Sequence, residues 1–250
     1  MQDWQFRPAG DLGMPPGERR RSLHRESGLI STSLHIAWWS FVRAYMRLWH
    51  GLVIHGFEQI PLKPPFVLIA NHASHLDALV LASPLSWRIR DRVFPIAAGE
   101  IFFETPMMST FSALFLNALP LWRKKCGPYT LQRLRERLVG EPCAFILFPE
   151  GARSRDGAML PFKPGLGMLI AGTNVPVIPC YLDGCFEALH PDHSWPRPRR
   201  ITLHIGQPIE FSATPNNRDG WTHVATELQT RVAAMMPASA TVTVASPPRE

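Results

Sequence analysis

A chain of 250 residues that is 46% hydrophobic can bury one large core, and its 18% charged residues fall below the ~25% of an average soluble domain. That balance excludes a chain too polar to fold and points to extra apolar surface, hence to a membrane or lipid partner. The net charge of +6 favours anionic partners (acidic headgroups, phosphorylated substrates, an acidic carrier protein or nucleic acid) without choosing among them.

Residues 1–28 are rich in Pro, Gly and Arg and lack apolar periodicity, so they read as a basic, disordered N-terminus. They also lack an apolar core behind a basic start, which predicts no cleaved leader. Leu29 to Ile54 reads as an amphipathic helix. Arg43 and Arg47 interrupt its apolar run and argue against a clean span, while Trp38, Trp39, Tyr45 and Trp49 suit the headgroup layer. An interfacial, membrane-associating helix fits better than a helix merely packed on the domain.

From residue 55 to 236 short apolar strands alternate with helices. Pro64 to Asn71 is a buried strand, and the stretch after His75 is a helix. Asp91 to Gly99 holds a second strand. Thr105 to Trp122, bracketed by Pro106 and Pro120, predicts a buried or membrane-facing helix and then a strand from Leu119. Gly127 to Gly140 is an amphipathic helix with Leu131, Leu134 and Leu138 on one face. Cys143 to Gly151 is a strand ending in a Pro-Glu-Gly turn. Then follow a short helix (Gly165 to Asn174), two strands (Val175 to Leu182 and Arg200 to Ile209) and a closing helix (Trp221 to Met236). Residues 237–250 read as a flexible tail. The pattern predicts an α/β fold: a single-domain mixed sheet covered by helices on both faces, behind the N-terminal amphipathic helix. Cys126, Cys143, Cys180 and Cys185 form no Cys-x-x-Cys pair, which argues against zinc and fits reduced thiols.

Two stretches carry candidate chemistry. In "NHASHLD" (Asn71 to Asp77) three readings compete. Ser74 and Asp77 match a Ser-x-x-acid capping box, which leaves His72 unused. His72 and His75 as metal ligands lack a third partner. His72 as a general base, with Asp77 fixing its tautomer and stabilising the imidazolium, suits activation of a hydroxyl near pH 7. No Gly-x-Ser-x-Gly elbow supports a serine nucleophile. The second stretch, "FPEGARSRDGAMLPFKPG" (Phe148 to Gly165), crowds Glu150, Arg153, Arg155, Asp156 and Lys163 around small residues after a buried strand. Arginine forks and close glycine backbone suit phosphate, although a solvated turn-rich loop would also accept these charges.

Together these stretches resemble the glycerolipid acyltransferases, the family of bacterial 1-acylglycerol-3-phosphate acyltransferases. "NHASHLD" carries its His-x-x-x-x-Asp pattern and "FPEGARS" its Phe-Pro-Glu-Gly-Thr-Arg-Ser pattern. Two weaker blocks, Gly99 to Arg123 and Val175 to Gly184, are also similar, so the resemblance covers roughly Ile54 to Ile209. It implies His72 as general base with Asp77 orienting it, and His75 as a bystander. Glu150, Gly151 and Arg153 would bind the acceptor's glycerol phosphate, supported by Arg123, and Pro179 would shape the acyl-donor side. It further implies a lysophospholipid acceptor, an acyl thioester of coenzyme A or acyl carrier protein as donor, no metal or organic cofactor, no nucleic acid, and peripheral or monotopic seating on the cytoplasmic, anionic face of a membrane. Gly99 stands where the family often has lysine and Ala152 where it usually has threonine. These departures bear on the choice of acceptor more than on acyl transfer. A thioester hydrolase and an inactive lipid-binding homologue are the other readings.

Overall fold

The computed structural model describes residues 11, 13–23, 25, 29–122, 128–190, 192–193 and 195–237. Its centre is β2 (Phe66–Ala70), in which every residue is buried. A strand buried on both faces must be sandwiched between helices, and its alternating side chains feed two separate cores. Phe66, Leu68 and Ala70 face one core, and Val67 and Ile69 face the other. On its two sides β2 pairs in parallel with β5 (Ala144–Leu147) and β6 (Val177–Asp183), so that Leu68 lies opposite Ile146 and Ile178. The remaining strands are β1 (Val53–His55), β3 (Val93–Ala98), β4 (Leu119–Leu121) and β7 (Thr202–Ile205). The seven-stranded order is β1-β7-β6-β2-β5-β3-β4. All pairings are parallel except β6 with β7, so the sheet is mixed, as expected from sequence.

The helices are α1 (Pro16–Arg21), α2 (Leu29–Trp49), α3 (Asp77–Ala82), α4 (Gly99–Phe102), α5 (Pro106–Leu114), α6 (Pro128–Gly140), α7 (Gly165–Ile170), α8 (Cys185–Ala188) and α9 (Arg218–Ala233). Trp39, Val42 and Met46 of α2 join Val80 and Leu81 of α3 over one face. Leu134 and Leu138 of α6, Leu166 and Leu169 of α7 and Val224 and Leu228 of α9 cover the other. Thr105 caps α5 by accepting from Met108 N at 3.3 Å, and Pro106 follows where a missing N–H costs nothing. The closing helix α9 starts earlier than Trp221 because Asn217 caps it, accepting from Gly220 N at 2.9 Å.

Three expectations need correction. The first helix stops at Trp49 rather than Ile54, because Gly51 adopts φ +52° and Leu52 N–H bonds back to Met46 O. The chain then forms β1 beside β7, so the domain begins before residue 55. The N-terminal stretch is not loose throughout. Residues Pro16–Arg21 are helical, and the buried Arg25 donates to Asn117 Oδ1 at 3.1 Å and Ala118 O at 2.8 Å. Within α2 the Arg43 guanidinium turns inward to Ser83 O and Leu85 O and lies over the Trp87 ring.

Besides its packed residues, α2 exposes Ile36, Phe41, Leu48 and Trp49. Trp38, Phe41, Tyr45 and Trp49 stand in sequence along it with ring centroids 5.9, 6.2 and 6.5 Å apart. Trp38 also meets Phe111 and Phe115 edge-on at 5.5 and 5.6 Å, which joins α2 to the α5 region. Among the described residues no helix is long and apolar enough to cross a membrane. Cys143, Cys180 and Cys185 are free and buried, and burial pushes all three thiols up, Cys143 to about 12. Cys126 and the tail from residue 238 lie outside the described residues.

The α7–α9 contact depends on Gly167, where an added Cβ would sit 2.3 Å from Trp221 Cα and 2.5 Å from its carbonyl oxygen. Backbone cannot yield as a side chain can, so Gly167→Ala should lower the unfolding free energy by about 2–3 kcal/mol. At Gly165 the nearest atom would be a Leu131 methyl at 3.6 Å, so Gly165→Ala should change stability by less than about 1 kcal/mol. Urea denaturation of both variants checks the contrast.

Candidate active site

The site forms where β2, β5 and β6 end together. Beyond Ala70 the chain leaves the sheet, and Asn71 takes over the ladder with its side chain. Its Nδ2 donates to Leu182 O at 3.0 Å and its Oδ1 accepts from Leu182 N at 2.8 Å. Both backbone groups of Leu182 stay paired while the chain is released into a loop. In sequence Asn71 reads only as the last residue of the strand from Pro64, since its partner Leu182 is 111 positions away.

His72 follows on this loop, and it is held from four directions. Its ring stacks on Phe148, centroids 4.1 Å apart and planes 16° from parallel. Its Nδ1 lies 2.8 Å from Asp77 Oδ2. Its backbone N–H donates to Glu150 Oε1 at 2.7 Å, and its carbonyl accepts from Ser154 N at 2.8 Å. The two sequence motifs therefore form one structure. Because a carboxylate only accepts, Nδ1 is the donor to Asp77, and in the neutral ring this leaves the lone pair on Nε2. His72 is partly exposed at the wall of a cavity of about 600 Å³, so a proton acceptor stands where a ligand can reach it.

Asp77 is fully buried in the first turn of α3. Besides His72 Nδ1, its Oδ2 accepts from Ala73 N and Ser74 N, each at 2.8 Å. Ser74 Oγ accepts from Leu76 N at 3.2 Å. One carboxylate thus serves both the histidine and the loop backbone just ahead of α3, while Ser74 Oγ bonds Leu76 N rather than the Asp77 N–H that a capping box requires. The carboxylate also acts on the buried Cys185 thiol, whose pKa burial and then Asp77 push well up.

Glu150 takes a different place from the one its motif implies. It is 2% exposed, and its oxygens accept from His72 N and Leu160 N, at 2.7 and 3.0 Å. It ties two loops together from beneath and does not line the cavity. Burial outweighs these two hydrogen bonds and pushes its carboxyl up to about 7. Gly151 and Arg153 do line the cavity, with Ala152 between them. Gly151 has φ +72°, and a Cβ there would meet Lys163 Nζ at 2.6 Å, so glycine lets the chain turn beneath that amine. Pro179 sits buried within β6 opposite Ile69, away from the cavity lining. Arg123 lies outside the described residues. His75, read as spacer, stands on the cavity wall edge-on to Phe102, and burial and then Arg153 lower its pKa. Elsewhere the walls are apolar, including Trp38, Leu79, Ile96, Phe102 and Phe111. No cluster of metal-ligating side chains occurs among the described residues.

The acyltransferase family model matches residues 51–183, which span both loops and the strands that carry them. The chain belongs to the acyltransferase family. Among its relatives, the mouse 1-acyl-sn-glycerol-3-phosphate acyltransferase alpha is 30% identical over 128 residues, 50% of this chain and 43% of its own length. The human beta enzyme of the same description is 30% identical over 162 residues, 63% of this chain and 55% of its own. The chain spans about half the length of these relatives. The crystal structure of the 1-acyl-sn-glycerophosphate acyltransferase PlsC from Thermotoga maritima shares the fold, with a TM-score of 0.61 over 83% of each chain at 24% identity. The acyltransferase-family fold therefore includes the mixed sheet from whose edge His72 projects.

The raised carboxyl of Glu150 has a signed consequence for stability. Between its ordinary 4.5 and about 7 the folded protein holds a proton that the unfolded chain has released. Stability should therefore fall as pH rises through that window and level off above it. Glu150→Gln removes this slope. The wild-type unfolding free energy minus that of Glu150→Gln should drop by about 3 kcal/mol from below pH 4.5 to above pH 7, measured by urea titration.

Proposed function

We propose that the chain is an O-acyltransferase that moves a fatty acyl group from an acyl thioester to a hydroxyl of a lysophospholipid. The thioester would be carried by coenzyme A or acyl carrier protein. The foremost acceptor is 1-acyl-sn-glycerol 3-phosphate, which would yield phosphatidic acid for phospholipid biosynthesis. The observation that carries this reading is the His72–Asp77 contact of 2.8 Å at the wall of a mostly apolar cavity that also receives Arg153.

The chemistry uses the chain's own groups and two substrates. His72 Nε2 takes the proton of the acceptor hydroxyl, and Asp77 stabilises the imidazolium through Nδ1. The acceptor oxygen bonds to the thioester carbon. The tetrahedral intermediate then collapses, the C–S bond breaks, and the leaving sulfur takes the proton back from His72. Phe148 and the two backbone clamps hold the imidazole in place, which is the positioning part of the rate gain. Arg153 binds the acceptor phosphate by charge-assisted hydrogen bonds. Glu150 acts as a strut for this loop rather than as a phosphate contact. The apolar walls take an acyl chain. The exposed aromatic face of α2 seats the protein on the cytoplasmic leaflet, peripherally or monotopically.

His72→Ala should lower kcat by about 10²- to 10⁴-fold with the fold intact by circular dichroism. Turnover near wild type in a folded His72→Ala protein would refute the assignment. Arg153→Ala should raise the KM for the phosphorylated acceptor by about 10- to 100-fold and leave the donor's KM unchanged. Assays with labelled acyl thioesters and lysolipids with and without phosphate, read by mass spectrometry, check both. Release of free fatty acid alone, with acceptor present, would instead mark a thioesterase.

A further inference from the structure

Between α8 and β7 the chain crosses the rim of the sheet as an arm, whose described residues from Leu189 to Arg200 include Trp195-Pro-Arg-Pro-Arg-Arg200. It belongs to neither motif. Its root is fixed to the loop of His72, because Leu189 O accepts from Ser74 Oγ at 3.2 Å, and Arg197 N donates to Ala188 O at 2.7 Å. Its far end is fixed to the end of α2. Arg199 O accepts from His50 Nδ1 at 3.2 Å, and Ile201 N donates to His50 O at 3.1 Å. The antiparallel register of Thr202 with Asp183 places the start of β7, and so the arm before it, at the edge where β6 ends. That is the edge from which His72 projects.

Between these fixed ends the arm turns its side chains to solvent. Trp195 is 82% exposed, and Arg197, Arg199 and Arg200 are exposed. Pro196 and Pro198 restrict φ and keep the cations spread along an extended path. Asp192, the described acid of the arm, faces His190 at 3.4 Å. At the adjoining end of α2, Arg47, Leu48 and Trp49 are exposed, Leu48 at 84%. An indole left almost wholly in water gains nothing from the fold, whereas the headgroup layer of a bilayer suits its amphipathic ring. Three guanidiniums beside it complement lipid phosphate.

We propose that Trp195–Arg200 is a second membrane-docking element. Its arginines, of which Arg199 sits at the end of α2, take the phosphates of an anionic leaflet while Trp195 enters the headgroup layer. This rests on the membrane seating of α2 given above and adds an electrostatic half to it. α2 supplies mainly apolar contact, with Arg47 its one exposed cation at the docking end, and the arm supplies most of the preference for acidic lipid. The exposed Trp195 and Leu48 favour a bilayer over an acidic protein as the partner.

The test is co-sedimentation of the full chain with vesicles of phosphatidylcholine alone, or with about one-third phosphatidylglycerol, at low and high salt. Near an anionic leaflet each arginine contributes about a fivefold gain, so R197Q/R199Q/R200Q should weaken partitioning to the anionic vesicles on the order of a hundredfold. Its binding should also lose most of its salt dependence, while binding to phosphatidylcholine is unchanged. W195S should weaken binding to both vesicle types, and F41S/W49S on α2 should do the same. All these side chains are exposed, and circular dichroism verifies the fold. If the triple variant binds anionic vesicles like wild type while F41S/W49S does not, the arm is overturned and the α2 seating stands. If wild type binds neither vesicle, both fail. If the triple variant keeps vesicle binding and instead loses turnover only with donor on acyl carrier protein, the arm docks an acidic protein and the proposal is wrong.

Discussion

The structure turns on how His72 is suspended. Glu150, 78 positions further along the chain, binds its N–H, and Ser154 binds its carbonyl. Asp77 and Phe148 fix its ring. The contacts with Phe148, Glu150 and Ser154 require β2 and β5 to be neighbours in register, since each loop leaves the end of one of them, whereas the Asp77 contact is local to the stretch after β2. The parallel pairing of these buried strands is thus the condition for the site, and the helices on both faces are the condition for the pairing.

Two buried carboxylates support this arrangement in opposite ways. Asp77 gathers three donors on one oxygen. Glu150 receives two backbone N–H groups, yet burial still drives it toward protonation near neutrality. Holding a loop with an acid that resists its own charge sacrifices stability for placement, a familiar trade at functional sites. Arg90 sits at the other end of α3. It donates to Ala82 O and Leu85 O at 2.6 and 2.7 Å and lies over the rings of Trp39 and Trp87. Carbonyls at a helix end gain donors there, while the Nε of the buried guanidinium has no partner among the described residues.

The central strands were legible because apolar runs bounded by turn residues leave few alternatives. His72 and Asp77 were legible because both partners lie in one short stretch. What escaped depends on distant or backbone partners. Glu150 reads as a ligand because a sequence displays side chains and hides the N–H groups of His72 and Leu160. Arg25 reads as part of a loose basic run because its acceptors at Asn117 and Ala118 are 92 and 93 residues away. β1 hid inside an apolar stretch that continued the helical pattern, although Gly51 marked the break. Pro179 could have been placed by parity. Ile178, Cys180 and Leu182 serve one core while Val177 and Tyr181 serve the other, so the residue between Ile178 and Cys180 faces away from α2.

The seam of Trp38 against Phe111 and Phe115 differs in kind from the bonds around His72. Edge-on rings tolerate sliding and tilting, whereas a backbone N–H to a carboxylate tolerates little. The cavity is consequently held by hydrogen bonds at its His72 end and by ring packing along its length. Substitutions in the seam can reshape what the cavity admits while leaving the His72–Asp77 geometry untouched, so the two can drift independently in descendants of this chain.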